Sequence, residues 1–363
     1  MKLLESFSFT SLLRSISFAL VLVPQLSISG QQVTTRTISK EQELGIALYK
    51  KGETKEAIKQ LAADTKKNSD NAESWYYLGL AHLRDSDYKN SRKALEKATK
   101  LKPDLAKHHA AWSYVLLLSG KDRDAEREAQ KAIELNRDQS DAHYVLGVIR
   151  LRQNRNVDAR TEAETAIKSN PELAVAYLLQ SQALVGIYSD AAWESNQSAG
   201  LPYTSLTEAE RTERVKKFKK SLEPLVLAAS ALEKYLALSG TNAETSVWRD
   251  QLKTLKAYAS FNENTEPKTY RGVEVTNKAR VLAKPEPTYT EAARNAGITG
   301  TVLLSAVFTA DGKVEDILVL HGLPLGLTAQ SIAAAKKIKF VPAIKEGQSV
   351  SMYMHLEYNF NLY

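Results

Sequence analysis

Cysteine is absent from the 363-residue chain, and this absence excludes several classes of protein. Disulfide-stabilised scaffolds, thiolate metal sites and cysteine nucleophiles are ruled out, as is the lipid-modified cysteine of a lipoprotein. Methionine is scarce, with three residues, and the 10 prolines form no proline-rich spacer. Basic residues exceed acidic ones by only 49 to 42, without a dense basic motif, so the sequence predicts no nucleic-acid partner.

The first 30 residues have the pattern of an export signal. Lys2 and Arg14 give a positive start, an apolar stretch ends at Pro24, and small residues follow at 27–30. The apolar stretch is shorter than the roughly 20 residues of a membrane-spanning helix. We therefore predict a signal peptide over residues 1–30 and an exported, periplasmic protein. A second interpretation is that the segment stays uncleaved and tethers the chain to the inner membrane.

A 34-residue period fills the middle of the chain. The marker residues of two units, two periods apart, are Trp75, Leu78, Gly79, Ala98 and Pro103, then His143, Leu146, Gly147, Ala166 and Pro171. Each unit is predicted to form two amphipathic helices whose small residues allow close packing. The pattern resembles the tetratricopeptide repeat (TPR), which implies an all-α solenoid over residues 38–260 with an insertion at about 188–212.

Sequence patterns of common enzyme and metal sites are missing. The chain has no glycine-rich phosphate loop, no nucleophile elbow and no HExxH sequence. His109 and His143 fall on the repeat position that Trp75 occupies, so we interpret them as packed rings and not as metal ligands. We predict no catalytic residue, no metal site and no cofactor, and therefore not an enzyme.

The last ninety or so residues have a different pattern, after a polar segment at 261–270 that we interpret as a linker. Residues 300–308, 313–321 and 350–360 either alternate between apolar and polar side chains or are rich in β-branched ones, as is typical of strands. Thr328 is predicted to cap a helix between the second and third strands. Residues 271–363 are thus predicted to form a small α+β domain with an antiparallel sheet of three strands, one covering helix and an exposed edge.

Several blocks of this region resemble the carboxy-terminal domain of TonB-family energy transducers. The matching blocks are residues 287–302, 311–314, 326–327 and 339–343. The resemblance implies a multidomain chain: a TPR solenoid followed by a TonB carboxy-terminal domain that captures a short receptor peptide by strand addition. The sequence shows no clear spanning helix of the kind that anchors a full transducer, so force transmission does not follow from the resemblance.

The resemblance also implies a peptide-binding edge in the final strand. The expected edge residues are Val350, Met352, Tyr353, Met354, His355, Leu356 and Tyr358, and the expected flanking residues are Tyr289 and Arg294. An alternative is that a segment of the chain itself, at 273–282, or a second copy of the chain covers this edge.

The repeats imply a second site, because the inner helix of each TPR pair lines a concave groove. The expected groove residues are Tyr76, Leu80, Arg84, Tyr144, Val148 and Arg152. Tyrosine and arginine suit a peptide with carboxylates and apolar side chains.

The sequence is compatible with two functions. One is a periplasmic TonB-family protein that captures an outer-membrane TonB-dependent receptor or a similar envelope protein, with the repeats as a scaffold for peptides. The other is a TPR adaptor or assembly scaffold in which the terminal domain only docks or forms a homodimer.

Overall fold

The computed structural model describes residues 38–197, 207–240, 243–259, 269–270, 272, 275–295, 297–323 and 325–362. The predicted signal at 1–30 and most of the predicted linker lie outside these residues. The described residues fall into two compact units. We call residues 38–146 with 169–173 the repeat unit, and residues 147–168 with those from Ala174 onward the mixed unit.

Helices of similar length follow one another through the repeat unit. They are α1 (Lys40–Lys51), α2 (Thr54–Lys67), α3 (Ala72–Arg84), α4 (Tyr88–Leu101), α5 (Ala106–Leu118) and α6 (Asp122–Leu135), followed by the start of α7 (Ser140–Arg152). Consecutive helices pack in pairs, and α3 also contacts α1 and α5. The odd-numbered helices therefore form one layer of a TPR-type solenoid, the inner one.

Glycine in the inner helices allows the two helices of a pair to approach closely. A Cβ atom at Gly79 would lie 2.5 Å from the Cγ atom of Leu95, and one at Gly45 would lie 2.6 Å from that of Leu61. Both leucines are fully buried. The 34-residue spacing of these glycines thus reflects the contact of an inner helix with the outer helix of its own pair.

A methyl group at this contact should destabilise the repeat unit. We expect Gly79→Ala to lower the free energy of unfolding by about 1–3 kcal/mol, because Leu95 has no free space to move into. Denaturant unfolding followed by circular dichroism measures the loss. Gly79→Ala combined with Leu95→Ala should lose less than the sum of the two single changes; strict additivity would contradict the steric explanation.

The mixed unit begins with helices and ends with strands. Its helices are the end of α7, α8 (Asn156–Ser169), α9 (Ala174–Gln197), α10 (Glu208–Ser239), α11 (Ala243–Ala259), α12 (Glu291–Asn295) and α13 (Leu327–Ala335). Its strands are β1 (Thr269–Tyr270), β2 (Arg280–Ala283), β3 (Gly300–Phe308), β4 (Val314–His321), β5 (Lys339–Val341), β6 (Ala343–Lys345) and β7 (Gln348–Phe360).

The strands form two sheets. The larger has the order β1-β7-β3-β4, with β6 also paired to β7, and β2 pairs with β5 separately. The long strands β3, β4 and β7 are antiparallel, as predicted, whereas β1 lies parallel to β7. The prediction of three strands and one helix was wrong in number, because β1, β2, β5, β6 and α12 are too short to carry a periodic pattern.

Two details of the predicted α+β domain also differ. Thr328 does not cap α13: the N-cap is Gly326, and the Thr328 hydroxyl bonds instead to the backbone of Leu323. The segment expected to cover the final strand, 273–282, pairs elsewhere, because β2 is the partner of β5. The residues that do pair with β7 on that side are the two of β1.

The larger sheet has apolar contacts on both faces. On one face, side chains of β3, β4 and β7 pack with α12 and α13 in the core of the terminal domain. On the other face, Leu318 and Leu320 of β4 are buried among residues of α9, α10 and α11. The last solenoid helices and the strands therefore share one apolar core within the mixed unit.

Candidate functional site: a sheet edge and a helical groove

Strand β7 is paired with β3 along one side and has very little strand pairing along the other. Its pairing with β3 is continuous from Met352 to Phe360. On the opposite side, β1 pairs only with Ser351 and Met352. Within the described part of the chain, no strand pairs with that side of β7 beyond Met352.

The hairpin of β3 and β4 shows which residues of β7 direct their backbone N–H and C=O groups toward β3. Thr309, just after β3, donates its N–H to the carbonyl of Lys313 at 2.9 Å, so it faces β4. The N–H and C=O groups of successive residues point to opposite sides of an antiparallel strand, so those of Phe308 point toward β7. Its partner there is Met352. Even-numbered residues of β7 therefore bond to β3.

A contact further along β7 agrees with this alternation. The carbonyl of Glu357, an odd-numbered residue, accepts a hydrogen bond from the Lys284 ammonium, as a carbonyl that is not directed at β3 can. Because the register with β3 has no bulge on β7, the odd-numbered residues from Tyr353 to Asn359 direct their N–H and C=O groups outward. This row of backbone groups is what an added strand would pair with.

The side chains of the predicted edge divide between the two faces of the sheet. Those in the core of the terminal domain are Val350, Met352, Met354, Leu356 and Tyr358. Tyr353 and His355 lie on the opposite face, where the Tyr353 ring meets the ring of Tyr258 in α11 at 5.6 Å. Burial lowers the pKa of His355. An added strand would therefore contact the backbone of β7 more than these side chains.

The two predicted flanking residues lie together at the Phe360 end of β7. The Tyr289 ring meets Phe360 edge-on at 5.6 Å, and its hydroxyl donates to the carbonyl of Ile298. The Arg294 guanidinium lies 4.9 Å from the centre of the Tyr289 ring. Sequence reasoning missed Lys284, whose ammonium lies over the Tyr358 ring at 4.5 Å as well as on the Glu357 carbonyl.

The other edge of the sheet is covered by a helix. In β4, the carbonyl of Ile317 accepts from the side-chain amide of Gln251 at 2.8 Å, and the N–H of Val319 donates to the same amide at 2.9 Å. Gln251 belongs to α11 and is buried. The Tyr258 hydroxyl donates to the carbonyl of Asp316 at 3.2 Å. No sequence signal identified Gln251, because a single amide in an amphipathic helix is unremarkable.

The predicted groove residues of the repeat unit are mostly buried. Tyr76, Leu80 and Tyr144 are each at least nine-tenths buried. Arg84 lies over the ring of Tyr49 at 4.1 Å and donates to the carbonyl of Tyr49 at 2.6 Å. Tyr76 and Leu80 therefore contribute more to packing than to an open apolar surface.

The remaining two groove residues, Val148 and Arg152, belong to the mixed unit and are half-buried. Burial, together with the nearby charge of Arg152, lowers the pKa of His321 at the end of β4. Arg152 is therefore close to the terminal domain as well as being part of a TPR helix.

The described ranges contain no candidate for a membrane-spanning helix and none for a metal-binding cluster. None of the helices described has the length and apolar character needed to span a membrane. No group of three or more histidine or carboxylate side chains in those ranges is arranged to hold a metal ion.

Comparison with protein families identifies both parts of the chain. A model described as Gram-negative bacterial TonB protein C-terminal matches residues 285–362, and a tetratricopeptide repeat model matches residues 43–106 and 111–174. The chain thus combines tetratricopeptide repeats with a TonB carboxy-terminal domain. Both are non-catalytic interaction domains, and the second is typically periplasmic.

Several solved structures are similar to this chain over about half of its length. A crystal structure of MamA is 23% identical and covers 52% of this chain and 92% of its own, with a TM-score of 0.37. YrrB, described as a TPR protein with an unusual peptide-binding site, is 17% identical, with coverages of 52% and 83% and a TM-score of 0.37. PilF of Pseudomonas aeruginosa is 14% identical, with coverages of 60% and 85% and a TM-score of 0.42. A comparison with curated proteins gives no match.

Proposed function

We propose that this protein is an exported, periplasmic, non-enzymatic interaction protein of the TonB type. Its terminal domain captures an extended segment of an outer-membrane TonB-dependent receptor, or of a similar envelope protein, as an added strand on β7. Its TPR helices serve as a scaffold that holds the domain and binds peptides of other proteins.

The proposal rests on a difference between the two edges of the larger sheet: one edge is bonded to a helix and the other is open. The β4 edge is satisfied by Gln251 of α11, so it is not available to a partner. The outward groups of β7 beyond Met352 have no partner strand among the described residues. Natural proteins usually cover or pair such an edge, and an open one is a template for another chain.

Lys284 fits the same interpretation. A lysine at a sheet edge hinders uncontrolled pairing, since its charge must stay solvated. Here the ammonium bonds to the Glu357 carbonyl, an outward group of β7. Among the described residues, an incoming strand beyond Met352 would displace this side chain and no paired strand, which makes the edge protected but accessible.

A proline at Glu357 tests the edge. Proline removes the outward N–H of residue 357 and leaves the bonds of β7 to β3 in place. We expect Glu357→Pro to weaken capture of synthetic TonB-box peptides by about tenfold or more, as loss of one or more backbone bonds predicts. Fluorescence anisotropy with labelled peptides and the full chain measures the affinity.

Two variants serve as controls. Glu357→Thr keeps the N–H and suits a strand, so capture should stay within about twofold of wild type. Met354→Pro removes an N–H that faces β3 and should damage the sheet itself, which circular dichroism would detect. Equal capture by wild type and a folded Glu357→Pro variant would show that β7 is not the docking edge.

A second function is favoured by the contact between α11 and β4. This contact ties the terminal domain to the last TPR helices, as an adaptor with a fixed docking module would require. In that case β7 would pair with a second copy of the chain. Sedimentation of the full chain distinguishes the two: a dimer that Glu357→Pro dissociates supports the adaptor, and a monomer with peptide capture supports the transport protein.

A further inference from the structure

The two-stranded sheet of β2 and β5 turns one face toward the core of the terminal domain and exposes the other. Ala279, Ile338 and Phe340 are buried in that core, and Val281 packs against it. The residues that alternate with these along the chain are exposed: Lys278, Arg280, Leu282, Lys339 and Val341. The outward face of the small sheet therefore consists of these alternate side chains.

This outward face and its two ends are strongly basic. Residues 278–285 and 336–344 together contain six lysines and arginines and no aspartate or glutamate, whereas the net charge of the whole chain is +7. Neither stretch alone is a dense basic motif. The antiparallel pairing of β2 with β5 brings the two stretches side by side, with Arg280 opposite Val341. We call the lysines and arginine of these two stretches the basic patch.

Most cations of the basic patch have no partner in the described part of the protein. Lys284 is the exception, because its ammonium bonds to the carbonyl of Glu357. The other five form no hydrogen bond or ion pair through their side chains with any described residue: Lys278, Arg280, Lys336, Lys337 and Lys339. Like charges that lie close together repel one another, and an external anion relieves this repulsion.

Two large apolar side chains lie among these cations. Leu282 is 57% exposed and Val341 is 39% exposed. Leu282 lies between Arg280 and Lys284 along the chain, and Val341 lies opposite Arg280. Facing residues of paired strands are about 5 Å apart and alternate residues of one strand about 7 Å apart, so the apolar and basic groups form one continuous surface.

We propose that the basic patch, together with Leu282 and Val341, docks the terminal domain on the surface of a lipid bilayer that contains anionic phospholipid. The cations contact the headgroup phosphates, and the two apolar side chains enter the boundary between headgroups and acyl chains. Exposed apolar groups rimmed by charge are typical of such contacts. The surface is distinct from the outward backbone groups of β7, so the docking does not depend on strand capture.

The composition of the basic patch favours a lipid surface over an acidic segment of another protein. Four of its five unpartnered cations are lysines. Arginine is suited to bidentate recognition of a carboxylate, whereas lysine is a flexible, hydrated point charge. Flexible point charges match the diffuse field of many headgroups, which fades within about 8 Å at physiological ionic strength. Because the cations lie on one face and its ends, they reach this layer together.

Co-sedimentation of the full chain with vesicles tests the proposal. The vesicles contain either phosphatidylcholine alone or a mixture with phosphatidylglycerol as the anionic lipid. We expect binding to the anionic vesicles to be about tenfold stronger or more, because each basic residue near an anionic surface contributes roughly a fivefold factor. Added salt should weaken this binding. Any contribution of residues 1–30 is the same in all the variants compared.

Removal of charge from the basic patch should weaken binding to the anionic vesicles. The patch variant combines Arg280→Gln, Lys337→Gln and Lys339→Gln, and we expect a loss of about tenfold to hundredfold. The matched control combines Lys89→Gln, Lys93→Gln and Lys97→Gln, which removes the same charge from exposed positions of α4. The control should bind within about twofold of wild type, as expected when the removed charges lie outside the docking surface. Both variants should melt at the wild-type temperature, which separates lost binding from misfolding.

Insertion of the apolar side chains is tested with a tryptophan at position 282. In Leu282→Trp, vesicles with brominated acyl chains should quench the added emission, because the new ring lies at the acyl boundary. Leu44→Trp, at a 48% exposed position of α1, is the matched control, and its added emission should not be quenched. Glu357→Pro should leave vesicle binding intact, so failure of strand capture and failure of membrane docking are distinguishable.

The proposal is overturned if the full chain binds both kinds of vesicle equally, or if the α4 control loses as much binding as the patch variant. It is also overturned if the added emission of Leu282→Trp is not quenched. A labelled glutamate-rich peptide provides the last comparison: if the wild type binds this peptide and not the anionic vesicles, the basic patch recognises an acidic protein segment instead of a bilayer.

Discussion

Replacing Gln251 by leucine is expected to lower the free energy of unfolding by about 2–4 kcal/mol. The leucine fills a similar volume but leaves the carbonyl of Ile317 and the N–H of Val319 without partners. Both of these residues are buried, and a buried backbone group that loses its partner costs roughly 1–3 kcal/mol. Denaturant unfolding of the full chain, followed by tyrosine and tryptophan fluorescence, measures the loss.

The matched control lies on the same helix. Lys253 of α11 is exposed, and Lys253→Leu should change stability by no more than about 0.5 kcal/mol. Gln251→Glu should be at least as damaging as the leucine variant, because the new oxygen would face the carbonyl of Ile317. A leucine variant as stable as wild type would show that the paired bonds between α11 and β4 contribute little.

This contact also decides how capture experiments should be designed. A fragment that starts at residue 271 lacks α11, and it would expose the β4 edge together with Leu318 and Leu320, which are buried in the intact chain. Such a fragment would present two open edges in place of one. Peptide binding measured on it would not report on β7 alone, so the full chain is the proper material.

The repeat architecture could be predicted from the sequence because its signal recurs. Gly45 and Gly79 each lie against a leucine of the second helix of their own pair, so the same packing constraint recurs one period later. The strands β3, β4 and β7 were predictable for a related reason: each is long enough for alternation or β-branching to be visible. The antiparallel sheet and the final strand at its edge both follow from these segments.

What could not be predicted depends on contacts between distant residues. Gln251 and Ile317 are separated by 66 positions, and nothing in either local sequence indicates the bond between them. The pairing of β7 with β3 decides that the backbone groups of Glu357, and not those of Met354, point outward, and this pairing is not visible in the local sequence.

Asp64 is an exception within the repeat pattern that the structure explains. It occupies the repeat position that alanine fills in the later units, at Ala98, Ala132 and Ala166. Its fully buried carboxylate accepts from the hydroxyl of Ser39 and from the amides of Asn68 and Asn71, the latter two at 2.7 Å and 3.0 Å. This network joins the start of α1 to the end of α2 and the start of α3.

We expect Asp64→Ala to lower the free energy of unfolding at neutral pH by about 2–4 kcal/mol, because several charge-assisted hydrogen bonds are lost. Alanine fits at this position in the other units, so steric strain adds nothing to the loss. Ser39→Ala removes one bond of the same network together with the N-cap bond that Ser39 accepts from the N–H of Gln42, and should lose about 1–2 kcal/mol. Denaturant unfolding of the three proteins at pH 7 gives both values.

The loss should depend on pH in a definite direction. Burial alone would raise the pKa of Asp64, but the hydrogen bonds of the network outweigh it and hold the pKa below its ordinary value. A carboxyl with a lowered pKa in the folded state contributes its full stability above its unfolded pKa of about 4, and loses it as the pH falls through the folded value. The difference between wild type and Asp64→Ala should therefore be constant from pH 5 to 7 and shrink below pH 4. A difference that instead grew on acidification would mean that Asp64 is held protonated, and the network would then have to be reversed, with the carboxyl as a donor.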